Sequence, residues 1–433
     1  MVHPAPGQPG TNVWGDGVDA ALAAFPAANL TGTVNDARLP SSAQAATLAA
    51  TYAPVALPTF ATGDGVRYLS TTGSDANHGR APGQPKLTLQ AAHDSLPAAG
   101  GTIMVGAGTF NSSTPIVLTK PVIIQGRGPA SRLIATAGTL FAMSTAWNGN
   151  IFRDLYLQAI TGQVIDVSSG LAPSKNQFYN VEFVQYGPGY SVWNMPNGGM
   201  IENLFLGCSH THALSATVPT WNMISNSGGI NCNAWQQYTA LYSGVYAFHL
   251  EETSANTCND NVFEKINFEI CNGGAIRILS GQNNEINKCA IYDLSVPAVR
   301  DLFVIGKSAT GNFGTLNVLR QISRRGGSLA AGVFDINLTG GKTTIIENCN
   351  RSTFTGFAIE CNFGQHVIIN TAAVLTNNAW CSEINGGSIK TGRDTTANRP
   401  AGLLAGSQWF DTTLSKPIWW NGTVWKDAMG TTV

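Results

Sequence analysis

Charge is scarce in this chain. Only 11% of its 433 residues are Asp, Glu, Lys or Arg, and they nearly cancel, to a formal net charge of −1. No long Lys/Arg run appears, so the electrostatic footprint of a nucleic-acid binder is missing, and the pair Arg324–Arg325 reads as solvated turn charge. No apolar stretch approaches the roughly 18 residues of a membrane-spanning helix, which argues against membrane insertion. The N-terminus, MVHPAPGQPG, lacks the basic region and apolar core of a signal peptide, so a chain acting outside its cell of origin is expected to leave by another route. The eight cysteines, at 208, 232, 258, 271, 289, 349, 361 and 381, form no CxxC pair, and the histidines beside Cys208, His210 and His212, complete no zinc-ligand pattern. They read as reduced core thiols, with no metal and no redox cofactor implied.

What is abundant is small, apolar or turn-forming: 48 glycines, 43% hydrophobic residues, and Asn, Thr, Ser and Ala over much of the rest. That balance suits stacked short strands joined by tight turns. Residues 1–64 hold two short helix-like runs, Val18–Phe25 and Ser41–Tyr52, too small-sided to bury much alone. They read as an attachment arm that gains a core when three copies pack together, or as a disordered linker. Over 65–110, turn chemistry around Asp75 and Asn77 precedes an amphipathic helix at Leu87–Leu96, then the strand Thr102–Val105 and a glycine turn. A helix there would cover the open end of a solenoid.

From 111 to 393 the sequence repeats. A six-residue pattern of apolar, any, polar, apolar, any, apolar occurs at Phe152–Leu157, Phe178–Phe183, Ile201–Leu206, Phe263–Phe268 and Ile286–Ile291, with a frayed copy at Ile346–Arg351. The starts lie 26, 23, 62, 23 and 60 residues apart, with second strands expected at Ile165–Val167, Tyr190–Val192, Leu214, Ile276–Ile278, Val299 and Ile359. One coil per 23 to 26 residues is the size of a parallel β-helix rung, and the leucine spacing of a leucine-rich repeat is not seen. Asn180, Asn203 and Asn348 share one phase and read as turn or ladder asparagines. In 394–433, Trp409, Trp419, Trp420 and Trp425 suggest a small β module or a trimer-facing surface.

The segment LQAAHDSLPAAGGTIMVGAGTF resembles the N-terminal cap of pectate-lyase-like β-helix proteins. The tail QWFDTTLSKPIWWNGTVWKDAMG, 408–430, looks like the terminal module of many phage tailspikes and tail fibres, and NDARLPSSAQAATLAATY, 35–52, is similar to segments of phage minor tail proteins. The resemblance covers about a fifth of the chain. It implies an all-β, right-handed parallel β-helix, homotrimeric, fixed to a phage tail or baseplate protein through its N-terminal arm. It further implies a virion-tail protein acting at the host cell surface on a bacterial surface polysaccharide, often as a hydrolase or lyase. No catalytic motif is carried over.

Candidate chemistry therefore comes from the residues. A glycosidase needs two carboxyl groups, about 5–5.5 Å apart for retention or about 6.5–9.5 Å for inversion. The densest acids run through Glu251, Glu252, Asp260, Glu264 and Glu269, with Asp293 a coil later. Glu251, Glu264, Glu269 and Asp293 are the catalytic candidates, although such acids also serve simply to hydrate the outer face and pair with Lys265, Lys288 and Arg277. A lyase would instead use a base and a cation, for which His249 and Arg277 are the natural pair. Residues 207–247 read as an insertion whose aromatics, including Trp221, Trp235, Tyr238 and Tyr242, either stack on sugars or pack against the β-helix or a neighbouring subunit. His210 and His212 share one strand face without a third ligand, so a surface role is expected rather than a metal site. The reading is a glycan depolymerase, with a receptor-binding fibre that leaves the glycan intact as the alternative.

Overall fold

The computed structural model describes residues 64–433 apart from short stretches at 146, 169, 227, 254–257, 272, 294–297, 308–313, 326–327, 339–340, 352–356, 361–364, 370, 372, 377–380, 386–387, 391–392 and 400–407. The arm and both of its helix-like runs lie outside the described residues.

The repeat does fold as a parallel β-solenoid. Three strand positions recur along each coil. The first face carries strands such as Leu204–Leu206, the second Ser209–His212, and the third Trp221–Ser225. The third face is a ten-stranded sheet among the described residues, and strands on all three faces pair in parallel with the next coil.

Two left-handed bends recur along the coils. Lys175, Glu202, Cys232, Asp260, Asn283 and Leu316 turn the chain at φ 53–57°, each immediately before a buried asparagine. Asp154, Asn180, Gly207, Gln237, Lys265, Lys288, Gln321 and Asn348 turn it again at φ 51–65°, between the first and second faces. Only glycine adopts this conformation without penalty, and Asn or Asp less readily. Asn180 and Asn348 are thus turn residues and Asn203 a ladder residue, both within the expected roles, but the three do not share one phase of the coil.

That ladder runs through Asn150, Asn176, Asn203, Asn233, Asn261, Asn284 and Asn317. From Asn176 to Asn284, the backbone N–H and the side-chain amide of each both donate to Oδ1 of the next, at 2.9–3.2 Å. The second amide hydrogen goes back to a carbonyl, for example Asn233 Nδ2 to Met200 O at 2.7 Å. Every donor at a buried corner is thereby used, where an orphan would cost about 1–3 kcal/mol.

Two residues after each asparagine an apolar side chain points inward. Phe152, Phe178, Phe205, Trp235 and Phe263 stack with successive centroids 4.7, 4.7, 5.5 and 4.7 Å apart and planes within 9°. On the third face Trp193, Trp221 and Phe248 make a second stack. Spacing one ring per coil matches the roughly 4.8 Å between strands, so the fold repeats a favourable offset contact at each step.

Residues 207–247 are consequently regular coil and not an insertion. The Ile201 copy is out of phase, because the true register aligns Phe178 with Phe205 and Phe205 with Trp235. Third-face strands expected at Tyr190, Leu214 and Val299 lie instead at Trp193–Met195, Trp221–Ser225 and Phe303–Gly306. Leu214 and Val299 are exposed.

The helix is shorter than expected, Leu89–Asp94, and Leu87 is left outside it and exposed. Asp75 explains this: its carboxylate accepts from the Leu87 and Thr88 backbone N–H groups and the Thr88 hydroxyl, fixing 87–88 as the turn before the helix. Leu89, Ala92 and Leu96 join the solenoid core. At the other end, Gln408–Asp411, Lys416–Trp420 and Trp425–Asp427 form an antiparallel meander around Trp409, Ile418 and Trp425. No helix among the described residues is long and apolar enough to cross a membrane.

Candidate functional site

The coil decides which candidates can meet. Glu251 follows His249 on the third face, and the ring Nε2 lies 3.3 Å from Glu251 Oε2. His249 pairs in register with Arg277 on the next coil. An outward column runs here through Asp166, Asn194, Asn222, His249 and Arg277, with Asn194 bonded to Asp166 at 2.8 Å and Asn222 to Asn194 at 3.1 Å. His249 is only 7% exposed. Burial lowers its pKa, against the opposing hydrogen bond to the Glu251 carboxylate, so the ring is held towards its neutral form. Arg277 lies over the Tyr246 ring at 5.7 Å.

Glu264 lies on the first face, in register with Gln236 and Asn287, and accepts from Gln236 Nε2 at 3.5 Å. Glu285 and Glu347 nearby are satisfied by Arg320, at 3.2 and 2.7 Å. Glu269 lies beyond the Lys265 bend on the second face, and its direct register partner is Asp293. The four catalytic candidates are therefore not one cluster. The fold separates Glu251 and Glu264 onto different faces and aligns Glu269 with Asp293 on adjacent coils.

The aromatic candidates need correction. Trp221 and Trp235 are fully buried and Tyr238 is 1% exposed, all three as members of the core, so none can present a ring face to a sugar. His210 and His212 also face inward. His210 Nδ1 meets the Tyr238 hydroxyl at 3.2 Å, and His212 is held by Tyr190 O at 2.7 Å and Thr220 Oγ1 at 2.9 Å. Their shared strand face is the inner one, which rules out the surface role. Tyr242 stands half-buried at a left-handed corner, φ 59°. Of the cysteines, 208, 258, 271, 289 and 349 are buried, whereas Cys232 is exposed at a bend, and the side chains of Cys361 and Cys381 lie outside the described residues. No group of three metal-ligating side chains occurs among the described residues.

One open groove, of about 930 Å³, lies on the second face. Its lining includes Gln237, Lys265, Asn267, Lys288, Tyr292 and Arg325. Lys265 and Lys288 occupy the same bend position on successive coils. A register shift between Phe268 and Glu269 leaves Tyr292 as an extra residue between Ile291 and Asp293. Bulges of this kind re-aim side chains, and Tyr292 is exposed with the Arg325 guanidinium 4.7 Å from its ring centroid. Of the residues that line this groove, the sequence singles out buried Tyr238 as a sugar-stacking ring, Arg325 as turn charge and the lysines as partners for acids; the E-K-I-N and N-K-C-A bends are the available signal for the rest.

Further along the same outward column, Arg132, Tyr156, Glu182, Ser209, Thr239 and Asn267 follow one another in register. Arg132 stacks on Tyr156 at 4.3 Å. Desolvation raises the Glu182 pKa, with Arg132 opposing, so this carboxyl keeps its proton to higher pH than usual.

The sequence matches no protein-family model and no curated protein. Solved structures similar to the chain include tailspike protein 3 of bacteriophage CBA120, at 16% identity and TM-score 0.27 over 77% of this chain and 64% of that one. Others are the catalytic domain of a GH87 alpha-1,3-glucanase, at 15% and 0.47 over 79% and 69%, and Geobacillus virus E2 ORF18, at 11% and 0.35 over 79% and 81%. The chain thus spans just under two thirds of that tailspike's length. The fold assignment rests on the strand register described above.

Proposed function

We propose that this chain is a phage tail protein that binds a bacterial surface polysaccharide along the second face and cleaves its glycosidic bonds there. The observation that carries the reading is the pairing of Glu269 with Asp293 on adjacent coils, next to a groove lined by Asn267 and Tyr292. Neighbouring strands lie about 4.8 Å apart, close to the roughly 5–5.5 Å separation of a retaining carboxylate pair. One carboxyl would attack the anomeric carbon while the other protonates the leaving oxygen and later activates water. The tail assignment follows from the resemblance of 35–52 and 408–430 to phage tail proteins, and with it go a homotrimer, attachment through the N-terminal arm and action outside the host cell.

The runner-up, a receptor-binding fibre that leaves the glycan intact, draws on the fact that, among the described residues, no carboxylate lines the groove itself. The two readings separate when purified protein is incubated with capsule and exopolysaccharide, following polymer size, new reducing ends and the ultraviolet absorbance of unsaturated uronates. Shorter chains with reducing ends and no absorbance support the hydrolase, and rising absorbance indicates a lyase. Tight binding with intact polymer overturns cleavage and leaves the fibre.

A further inference from the structure

We infer that the second-face groove selects anionic glycans, through Lys265, Lys288 and Arg325; the inference rests on the glycan reading above and names its substrate class. In a chain with 11% charged residues, three cations converge on one groove whose lining holds no carboxylate among the described residues. None of the ion pairs recorded among the described residues uses them.

The placement of the lysines is costly for the fold alone. The corresponding bend is made by Asp154, Asn180, Gly207, Gln237, Gln321 and Asn348 on other coils, so nothing in the turn requires lysine. Two exposed lysines on successive coils, with backbones about 4.8 Å apart, repel each other, and an anion between them removes that repulsion. Arg325 differs in kind. Stacked on Tyr292, its guanidinium presents a planar fork that matches the two oxygens of a carboxylate or a phosphate. Asn267, Gln237 and Tyr292 supply hydroxyl partners and a ring edge beside the charges. The groove thus fits a sugar bearing a carboxylate or phosphate group.

The test uses the full chain on an array of acidic and neutral bacterial polysaccharides. Each acidic polymer is also presented after carboxyl reduction and after removal of phosphate. The variants are Lys265→Gln, Lys288→Gln and Arg325→Gln. Glutamine already occupies the same bend at 237 and 321, so the lysine replacements are compatible with the fold, and unchanged thermal unfolding verifies this. The expected result is binding confined to acidic polymers, weakened by added salt and by about three- to tenfold for each lysine replacement. Loss on carboxyl reduction identifies a carboxylate, and loss on phosphate removal identifies a phosphate. Binding that survives both treatments, or is unchanged in all three variants, overturns the inference while leaving the glycan reading intact. Failure to bind any polysaccharide overturns both.

Discussion

Asn203 and Asn233, thirty residues apart in sequence, are joined twice at one atom: the Asn203 backbone N–H and side-chain amide both donate to Asn233 Oδ1, at 3.0 and 2.9 Å. Asn233→Ala removes that acceptor, which strands the buried Asn203 backbone N–H and leaves the Asn203 amide only Pro173 O and Ile201 O; it also takes the side-chain donor from Met200 O and from Asn261 Oδ1, the latter keeping the residue-233 backbone N–H. At about 1–3 kcal/mol for a buried donor not rescued by water, a loss of that size is expected. Urea unfolding measures it, and a loss below about 1 kcal/mol would mean that the ladder is incidental to stability.

The ladder also shows what the sequence made readable. Six-residue periodicity located the first-face strands at 152, 178, 263 and 286, because alternation of buried and exposed side chains is a local property of a strand. It misplaced the copy at 201, because the true copy at Phe205 carries Gly207 and His210 where the pattern asks for a polar and an apolar residue, and it passed over the coil at 235, although Trp235–Ala240 fits the pattern. A tighter signal was present: Asn at 150, 176, 203, 233, 261, 284 and 317, each two residues before an inward Phe, Trp, Ile or Leu. The groove was less legible. It depends on the Tyr292 bulge and on side chains brought together from separate coils, neither of which is fixed by local pattern.

Trp235 tests the corrected role of the aromatics. It is fully buried between Phe205 and Phe263, so Trp235→Ala opens a cavity in the core and should cost about 3–5 kcal/mol. Glycan affinity of the remaining folded protein should not change. Thermal unfolding together with binding by the folded fraction checks both, and a stable variant with lost affinity would return Trp235 to the glycan site.

For the carboxylates, the expectation follows from the face each occupies. Glu269→Gln and Asp293→Asn should each lower kcat by about a hundredfold or more with little change in KM, as for loss of an acid or nucleophile acting only on the transition state. Glu264→Gln, on the first face, and Glu251→Gln, on the third, should stay within about threefold of wild type. Release of reducing ends is the measurement. If Glu251→Gln proves the inactive variant, the His249, Glu251 and Arg277 face becomes the site.

The buried ion pair of Arg324 with Asp335, 2.8 Å apart, gives a pH-dependent expectation. Arg324 takes an inward position that Phe268 and Ile291 fill on earlier coils. Asp335 accepts from the Ala358 N–H at 2.8 Å. Removing one partner strands a charge in the core, so Asp335→Ala should cost about 3–5 kcal/mol at neutral pH. Replacing both, as Arg324→Met with Asp335→Asn, should be far milder, since methionine suits the apolar column and Asn can still accept from Ala358. Burial raises the Asp335 pKa from 3.8 to about 6, although the Ala358 N–H and Arg324 pull it down. The folded state therefore holds this proton more tightly than the unfolded chain. The resulting stabilisation is full below about pH 4 and is lost as pH rises through about 6. Wild type should accordingly lose stability relative to the double variant between pH 4 and 7, read as a narrowing or reversal of their difference in urea midpoint. A difference that stays constant across that interval would show that Asp335 titrates in the folded protein as it does in the unfolded chain, with Arg324 fully offsetting its burial.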